Sequence, residues 1–191
     1  CVTTVIEGLR MVSPQTDFDF FPFATNLRTM EMSRVLQAKD RARKADLAIV
    51  VVGENSMRYM WKDKTCGENV DRYELSLVGL QQQLVEEIYA TGVPTIVVLV
   101  NGRPLGTEWI AENIPALVEA WEPGSFGGQA VAEILYGKVN PEAKLPITIP
   151  RSAGQVQTYY NHKQTSKWFP YGTGKSTNLF EFGYGLNYAS F

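Results

Sequence analysis

One stretch of this sequence places carboxylates, bases and aromatic rings close enough together to do chemistry. Between residues 54 and 74 stand Glu54, Asp63, Glu68, Asp71 and Glu74, interleaved with Arg58, Lys62, Lys64 and Arg72 and with Tyr59, Trp61 and Tyr73. Acid groups beside aromatic rings suit sugar chemistry. A general acid must keep its proton near neutral pH, which partial burial arranges, and aromatic faces pack on sugar rings. The same charges also fit a solvated, salt-bridged loop, and spacing alone leaves both readings open.

Other candidates are weaker. His162, in Tyr159-Tyr160-Asn161-His162-Lys163, is the one histidine, which excludes any site that needs two. No acid or cysteine stands near it in sequence. It suits a structural hydrogen bond, or contact with a ligand hydroxyl, better than a metal. Two cysteines, Cys1 and Cys66, exclude a disulfide scaffold and a cysteine-rich zinc site. Cys66 has no histidine motif to make it a nucleophile. Gly172-Thr173-Gly174-Lys175-Ser176-Thr177 imitates a phosphate-binding loop, but that pattern needs a glycine where Phe169 stands, a strand before it and a helix after it. Gly124-Ser125-Phe126-Gly127-Gly128 fails the spacing of a serine-nucleophile elbow. Its glycines more simply let a helix start close to a sheet, although helix-start amides can also hold an anion. Nothing here calls for a metal or a cofactor.

The elements around the acidic stretch decide how it is held. The run Ala45-Asp46-Leu47-Ala48-Ile49-Val50-Val51-Val52-Gly53 is apolar and β-branched without alternation, the pattern of a strand buried on both faces. Leu77, Leu80, Leu84 and Ile88 recur at helical spacing and predict a helix over residues 74–91, stopped by Gly92-Val93-Pro94. About twenty residues then separate strand from helix, where such links usually take 2–6, and long insertions at that edge are usually functional. Residues 95–100 and 116–121 read as further buried strands, residues 109–113 and 127–136 as helices, and residues 145–149 as a short edge strand. Before the first strand, residues 2–11 read as a short helix and the Phe18–Phe23 stretch as a short or edge strand. Residues 31–44 read as a helix buried through Met32, Val35 and Leu36, whose cluster Lys39, Arg41, Arg43 and Lys44 solvates an outer face. Strand–helix alternation with short links predicts an α/β fold, a mostly parallel sheet flanked by helices in a flavodoxin-like three-layer sandwich. Ligands of such sheets bind beyond the carboxyl ends of the strands, which is where the acidic stretch begins. From residue 155 to 191 aromatics crowd into an irregular tail rich in Gly, Ser, Thr and Asn, packed down by its rings.

The whole composition is that of a globular domain: 191 residues, 45% hydrophobic, 20% charged and a net charge of −2. That charge argues against nucleic acid or an anionic membrane as a general partner, and no apolar run approaches the ~20 residues of a membrane helix. The chain begins at Cys1 without a Met, and so reads as a piece of something longer.

The motifs in order resemble the C-terminal α/β sandwich domain of glycoside hydrolase family 3. The resemblance is carried by the strand run through Gly53-Glu54-Asn55, by Gly67-Glu68-Asn69-Val70-Asp71-Arg72, and by Leu77, Gly79 and Gln81. It continues through Asn101-Gly102-Arg103-Pro104-Leu105, Glu119-Ala120-Trp121, Pro123-Gly124 and Gly127-Gly128. Asn140-Pro141, Lys144-Leu145-Pro146, Pro150-Arg151-Ser152 and Phe182-Gly183-Tyr184-Gly185-Leu186 complete it. It implies a single sandwich domain over residues 1–191 that begins after the family's usual first strand. It also implies a divided active site in a retaining, exo-acting, β-glucosidase- or β-xylosidase-like enzyme. A preceding barrel domain of the same polypeptide, the implied partner, supplies the aspartate nucleophile. The sandwich supplies the acid/base glutamate from the long loop. Glu68 is that choice and Glu54 the runner-up, with Asp71, Arg72, Trp61 and His162 as supporting or substrate-binding residues. The substrate is an oligosaccharide or aryl β-glycoside, and the compartment, by the same resemblance, is periplasmic or secreted. Without the barrel the chain is expected to be inactive, because a retaining hydrolase needs two carboxylates about 5–5.5 Å apart. The alternative is a non-catalytic carbohydrate-binding or barrel-bracing module; a nucleotide-binding flavodoxin-like protein is a distant third.

Overall fold

A computed structural model describes residues 2–56, 61–156, 158–161 and 177–189. Its elements are α1 (Val5–Val12), α2 (Met32–Ala42), β1 (Ala48–Gly53), a 3₁₀ turn at Trp61–Asp63, α3 (Gln81–Tyr89), β2 (Thr95–Val100), α4 (Glu108–Asn113), β3 (Ala116–Glu119) and α5 (Gly127–Leu135). The β-branched runs pair in parallel in the order β1-β2-β3, with Val50 opposite Val97 and Val97 opposite Leu117. Successive residues of a strand point to opposite faces. One face therefore carries Val50, Val52, Val97, Leu99 and Leu117, and these pack in one core with Ala38 of α2, Leu84, Val85 and Ile88 of α3, and Ile110 of α4. Val85, Val97 and Ile110 are wholly buried, each such side chain contributing about 1.5–3 kcal/mol. The α/β fold with a parallel sheet and flanking helices is as the alternation of elements predicts.

Helix α1 starts with a capping box, in which the Thr4 hydroxyl accepts from the Glu7 amide and the Glu7 carboxylate accepts from the Thr4 amide. It packs against α5 almost backbone to backbone. A Cβ on Gly8 would overlap the Gly128 carbonyl, and one on Gly128 would overlap the Thr4 carbonyl. Gly128 therefore serves a close approach to α1, not to the sheet as expected.

Several other expectations are corrected. Val51 of β1 is 44% exposed, so β1 is an edge strand of the described sheet rather than one buried on both faces. The third helix begins at Gln81, not at residue 74. Gly79 takes a left-handed turn (φ 64°), and a Cβ there would overlap the Leu27 carbonyl oxygen. Leu77 is buried from the coil before that turn, which extends the helical spacing beyond the helix. Residues 18–23 form no strand. Phe21 is held instead under the guanidinium groups of Arg34 and Arg41 of α2, at 4.1 and 5.0 Å from its ring centre. The buried stripe of α2 is Val35, Ala38 and Ala42, while Met32 and Leu36 are exposed. On its outer side Arg41 pairs with Asp19 and Arg43 with Asp40, but Lys39, only 21% exposed, turns to Glu87 of α3, so it does not share the solvated outer face expected of the whole basic cluster. Residues 145–149 make an isolated antiparallel bridge, Ile149 to Phe180, in place of a strand, and the Leu145 amide donates to Tyr184 of the same tail segment at 2.8 Å.

Candidate active site

The carboxyl end of β1 is locked before the long loop begins. Gly53 lies so close to β2 that a Cβ would overlap the Val100 carbonyl oxygen, which only glycine accommodates. The Gln81 side chain, 2% exposed, accepts from the Gly53 amide and donates to its carbonyl, both at 2.8 Å. The next residue is Glu54. Its side chain is fully enclosed, with Arg72 Nη1 at 2.9 Å from one oxygen and Arg103 Nε at 3.2 Å from the other. Two guanidinium groups on one carboxylate meet the demand that a buried charge be paired and hydrogen-bonded. The remaining donors tie down the loop. Arg103 Nη2 donates to the Val70 and Thr65 carbonyls at 2.9 and 3.4 Å, and Arg72 Nη2 to the Ser76 carbonyl at 2.6 Å.

The loop leaves and returns through Asn55 and Thr65, which exchange two bonds of 2.8 Å. Thr65 and Cys66 are buried beneath it. Asp63 and Lys64 are docked on the coil before α2, through Asn26 Nδ2 to the Asp63 carboxylate and Arg28 Nη2 to the Lys64 carbonyl, both at 2.8 Å. A tight turn follows. Gly67 and Asn69 have left-handed φ of 91° and 61°, the Val70 amide donates to the Gly67 carbonyl at 3.2 Å, and Glu68 stands exposed between them. Lys64 Nζ donates to the Glu68 carbonyl, not to its carboxylate. Asp71 is exposed, Trp61 is 68% exposed and Tyr73 is 89% exposed.

A second carboxyl lies at the end of β3. Glu119 accepts from the Trp121 amide at 3.0 Å and from Asn101 Nδ2 at 3.4 Å, holding Trp121 in a left-handed conformation (φ 54°) that a bulky residue rarely adopts. Burial pushes the Glu119 carboxyl up to about 7, and the two hydrogen bonds pull it only part of the way back. Burial also pushes the Cys66 thiol up to about 11, helped by the nearby Glu54 and Glu122 charges. Among the described residues no group of three or more His, Cys, Asp or Glu is placed to hold a metal ion, and no helix is long and apolar enough to cross a membrane.

Residues 1–188 match the sequence model of the Glycosyl hydrolase family 3 C-terminal domain. The chain belongs to glycoside hydrolase family 3. Relatives of this family 3 domain include a "Beta-xylosidase" of Formosa agariphila, 44% identical over 158 residues, and a "Periplasmic beta-glucosidase" of Salmonella typhimurium, 36% identical over 168 residues. Each match covers 81% of this chain and 21% of the relative, so the chain spans about a fifth of their length. Among solved structures, a β-glucosidase from Erythrobacter marinus superposes with a TM-score of 0.82 at 32% identity, over 100% of this chain and 28% of that one. A β-glucosidase from Listeria innocua in complex with isofagomine superposes at 0.81, with 28% identity, over 97% of this chain and 26% of that one.

Within the family 3 domain the two candidate glutamates have different surroundings. Glu54 is enclosed at the root of the loop and Glu68 is exposed at its turn. Arg72 is joined to Glu54 and makes no bond to the Glu68 carboxylate. Trp61 and Asp71 lie on the same loop with exposed side chains, and His162 lies outside the described residues. Sequence reasoning missed two site residues. Arg103 stands thirty-one positions beyond Arg72 (103 − 72), and only folding brings the two guanidiniums onto one carboxylate. Glu119 had a readable signal, because strand alternation places it on the same face as Leu117.

Proposed function

We propose that this domain carries the general acid/base of a longer retaining β-glycosidase, and that Glu68 is that residue. The observation that carries the reading is the contrast between the loop's two glutamates. Both Glu54 oxygens are occupied by guanidinium groups and none of its side chain is exposed, so it has no path to a glycosidic oxygen. Glu68 presents its carboxyl from a turn at the carboxyl edge of the sheet, where ligands of such sheets bind. A retaining hydrolase needs a second carboxylate about 5–5.5 Å away as nucleophile, and a barrel domain elsewhere on the longer polypeptide supplies it.

In the first step Glu68 gives its proton to the leaving oxygen as the nucleophile forms the glycosyl-enzyme. In the second it takes a proton from the water that releases the sugar, returning to its starting state. The names of the relatives point to β-linked glucose or xylose, and the proposed substrate is a terminal sugar of that kind on an oligosaccharide or aryl glycoside. Trp61 offers a ring face to the leaving-group sugar, while Asp71 and His162 offer polar contacts. A "Periplasmic beta-glucosidase" and a "Lysosomal beta glucosidase" among the relatives favour a periplasmic or secreted enzyme. The 191-residue chain alone should not hydrolyse an aryl β-glucoside.

The test uses the longer enzyme. Glu68→Gln should lower kcat/KM for a substrate with a poor leaving group by roughly 10²–10⁴. A dinitrophenyl glycoside, whose leaving group needs no proton, should be affected far less, and azide should restore turnover as a glycosyl azide. Equal loss on both substrates, or no loss, would overturn the assignment and leave this domain as a carbohydrate-binding or bracing module.

A further inference from the structure

We propose that Arg103 is a positioning residue for acid/base catalysis, an inference that rests on the reading of Glu68 above. One nitrogen of its guanidinium holds two carbonyls that flank Glu68 in the chain, Thr65 at 3.4 Å and Val70 at 2.9 Å. Arg103 thereby closes the segment that carries Glu68 at its apex. Its Nε is fixed at the same time on Glu54, 3.2 Å away, and Glu54 is anchored directly on the end of β1. The chain of support therefore runs from the sheet through Glu54 and Arg103 to both limbs of the turn.

The turn itself holds Glu68 weakly. Among the described residues it is held internally by one backbone bond, Val70 to Gly67 at 3.2 Å, and one lysine contact to the Glu68 carbonyl at 3.4 Å. Left-handed backbone at Gly67 and Asn69 sets the direction of the turn but not its distance from the sheet. Asn55 fixes that distance on the Thr65 limb, through its two 2.8 Å bonds, and Arg103 fixes it on the Val70 limb, through its 2.9 Å bond. The planar fork spreads its donors over separate nitrogens, so Nε reaches the carboxylate while Nη2 reaches the two carbonyls; the three donors of a lysine all radiate from one nitrogen on a flexible stem and do not reproduce that spread. A misplacement of about 1 Å at a reacting group costs roughly a hundredfold in rate, so holding the two carbonyls is a catalytic contribution as well as a stabilising one. Arg72 supports Glu54 from the other side and ties it to Ser76, beyond the turn, so it steadies the anchor without gripping the Glu68 segment.

Arg103→Lys in the longer enzyme keeps a cation beside Glu54 and removes the fork. The readout is the ratio of kcat/KM for a poor leaving group to kcat/KM for a dinitrophenyl glycoside, measured beside Glu68→Gln. Arg103→Lys should lower the first by roughly ten- to a hundredfold and leave the second nearly unchanged. Arg103→Ala removes a partner of a buried carboxylate, so its folded fraction is followed by thermal melt, and added guanidinium ion should restore its ratio toward that of the parent. A smaller folded fraction lowers both substrates equally and leaves the ratio intact. If Glu68→Gln changes the ratio while Arg103→Lys does not, and guanidinium rescues nothing, the positioning role is overturned and Glu68 stands. If Glu68→Gln leaves the ratio unchanged, the acid/base reading itself has failed.

Discussion

Replacing Glu119 by glutamine tests whether a partly buried acid at the end of β3 is a pH-dependent element of the fold. The carboxyl is drawn in two directions. Burial favours its neutral form, while the Trp121 amide at 3.0 Å and Asn101 Nδ2 at 3.4 Å favour its ionised form, and burial prevails to bring it to about 7 from 4.5. Between those two values the folded chain holds a proton that the unfolded chain has released. Stability must then fall as pH rises through the window. The contribution is complete below pH 4.5 and is lost by the time the pH passes about 7. The gap corresponds to a ceiling of about 3 kcal/mol, and partial exposure brings the expected loss nearer to about 2.

A glutamine at this position cannot ionise. Its carbonyl can accept from Trp121, but its amide faces the Asn101 amide, so one bond worth about 1 kcal/mol is lost at every pH. The variant should therefore be the less stable form below pH 4.5 and the more stable one above pH 7. Urea unfolding of the two proteins across that range, followed by tryptophan fluorescence, gives the difference curve. Parallel pH profiles would refute the reasoning. So would a wild type that gains stability on the variant as pH rises, because that sign means that the two donors outweigh burial and Glu119 folds as an anion.

Two further outcomes can be measured on the same chain. Gln81→Leu strands the Gly53 amide and carbonyl, both satisfied at 2.8 Å by one side chain, and should cost about 2–4 kcal/mol in the same unfolding assay; a loss under half of that would mean that water replaces the amide. In a Cys1→Ser background, Cys66 should resist a thiol reagent, because it is 1% exposed and its thiol is pushed up to about 11. The thiolate is the reactive form, so labelling should track unfolding and accelerate with urea; immediate labelling of the native protein would refute that.

The parts of the fold that could be read from sequence are those whose signal is local. The run from Ala48 to Gly53 and the run from Thr95 to Val100 announce themselves by β-branching, and they pair in parallel as their connection through a helix requires. The start of α3 misleads because Leu77 is buried by tertiary packing at a position that also satisfies helical spacing, while the break lies in Gly79, whose left-handed turn answers to the distant Leu27 carbonyl. Val51 misleads in the opposite sense. Its residue type suits burial, and only the strand order shows that no described strand lies beyond β1 to cover it.

The loop shows the same division more sharply. Spacing singles out Glu54 and Glu68 as two carboxylates among aromatics and bases, and by residue type alone they are interchangeable. What separates them is convergence. Arg72 comes from the far end of the loop and Arg103 from beyond β2, and both arrive at the one glutamate that directly follows a strand. A carboxylate in that place is carried into the interior whatever its neighbours in sequence, and it folds only with cations that meet it there. The loop is thereby fastened at its root, and a glutamate set at its turn is held out without needing partners of its own. Two carboxylates with one sequence signature thus acquire opposite tasks, one to hold the loop and one to be presented by it. The strand end decides which is which, and the arginines are where mutation should first uncouple the two.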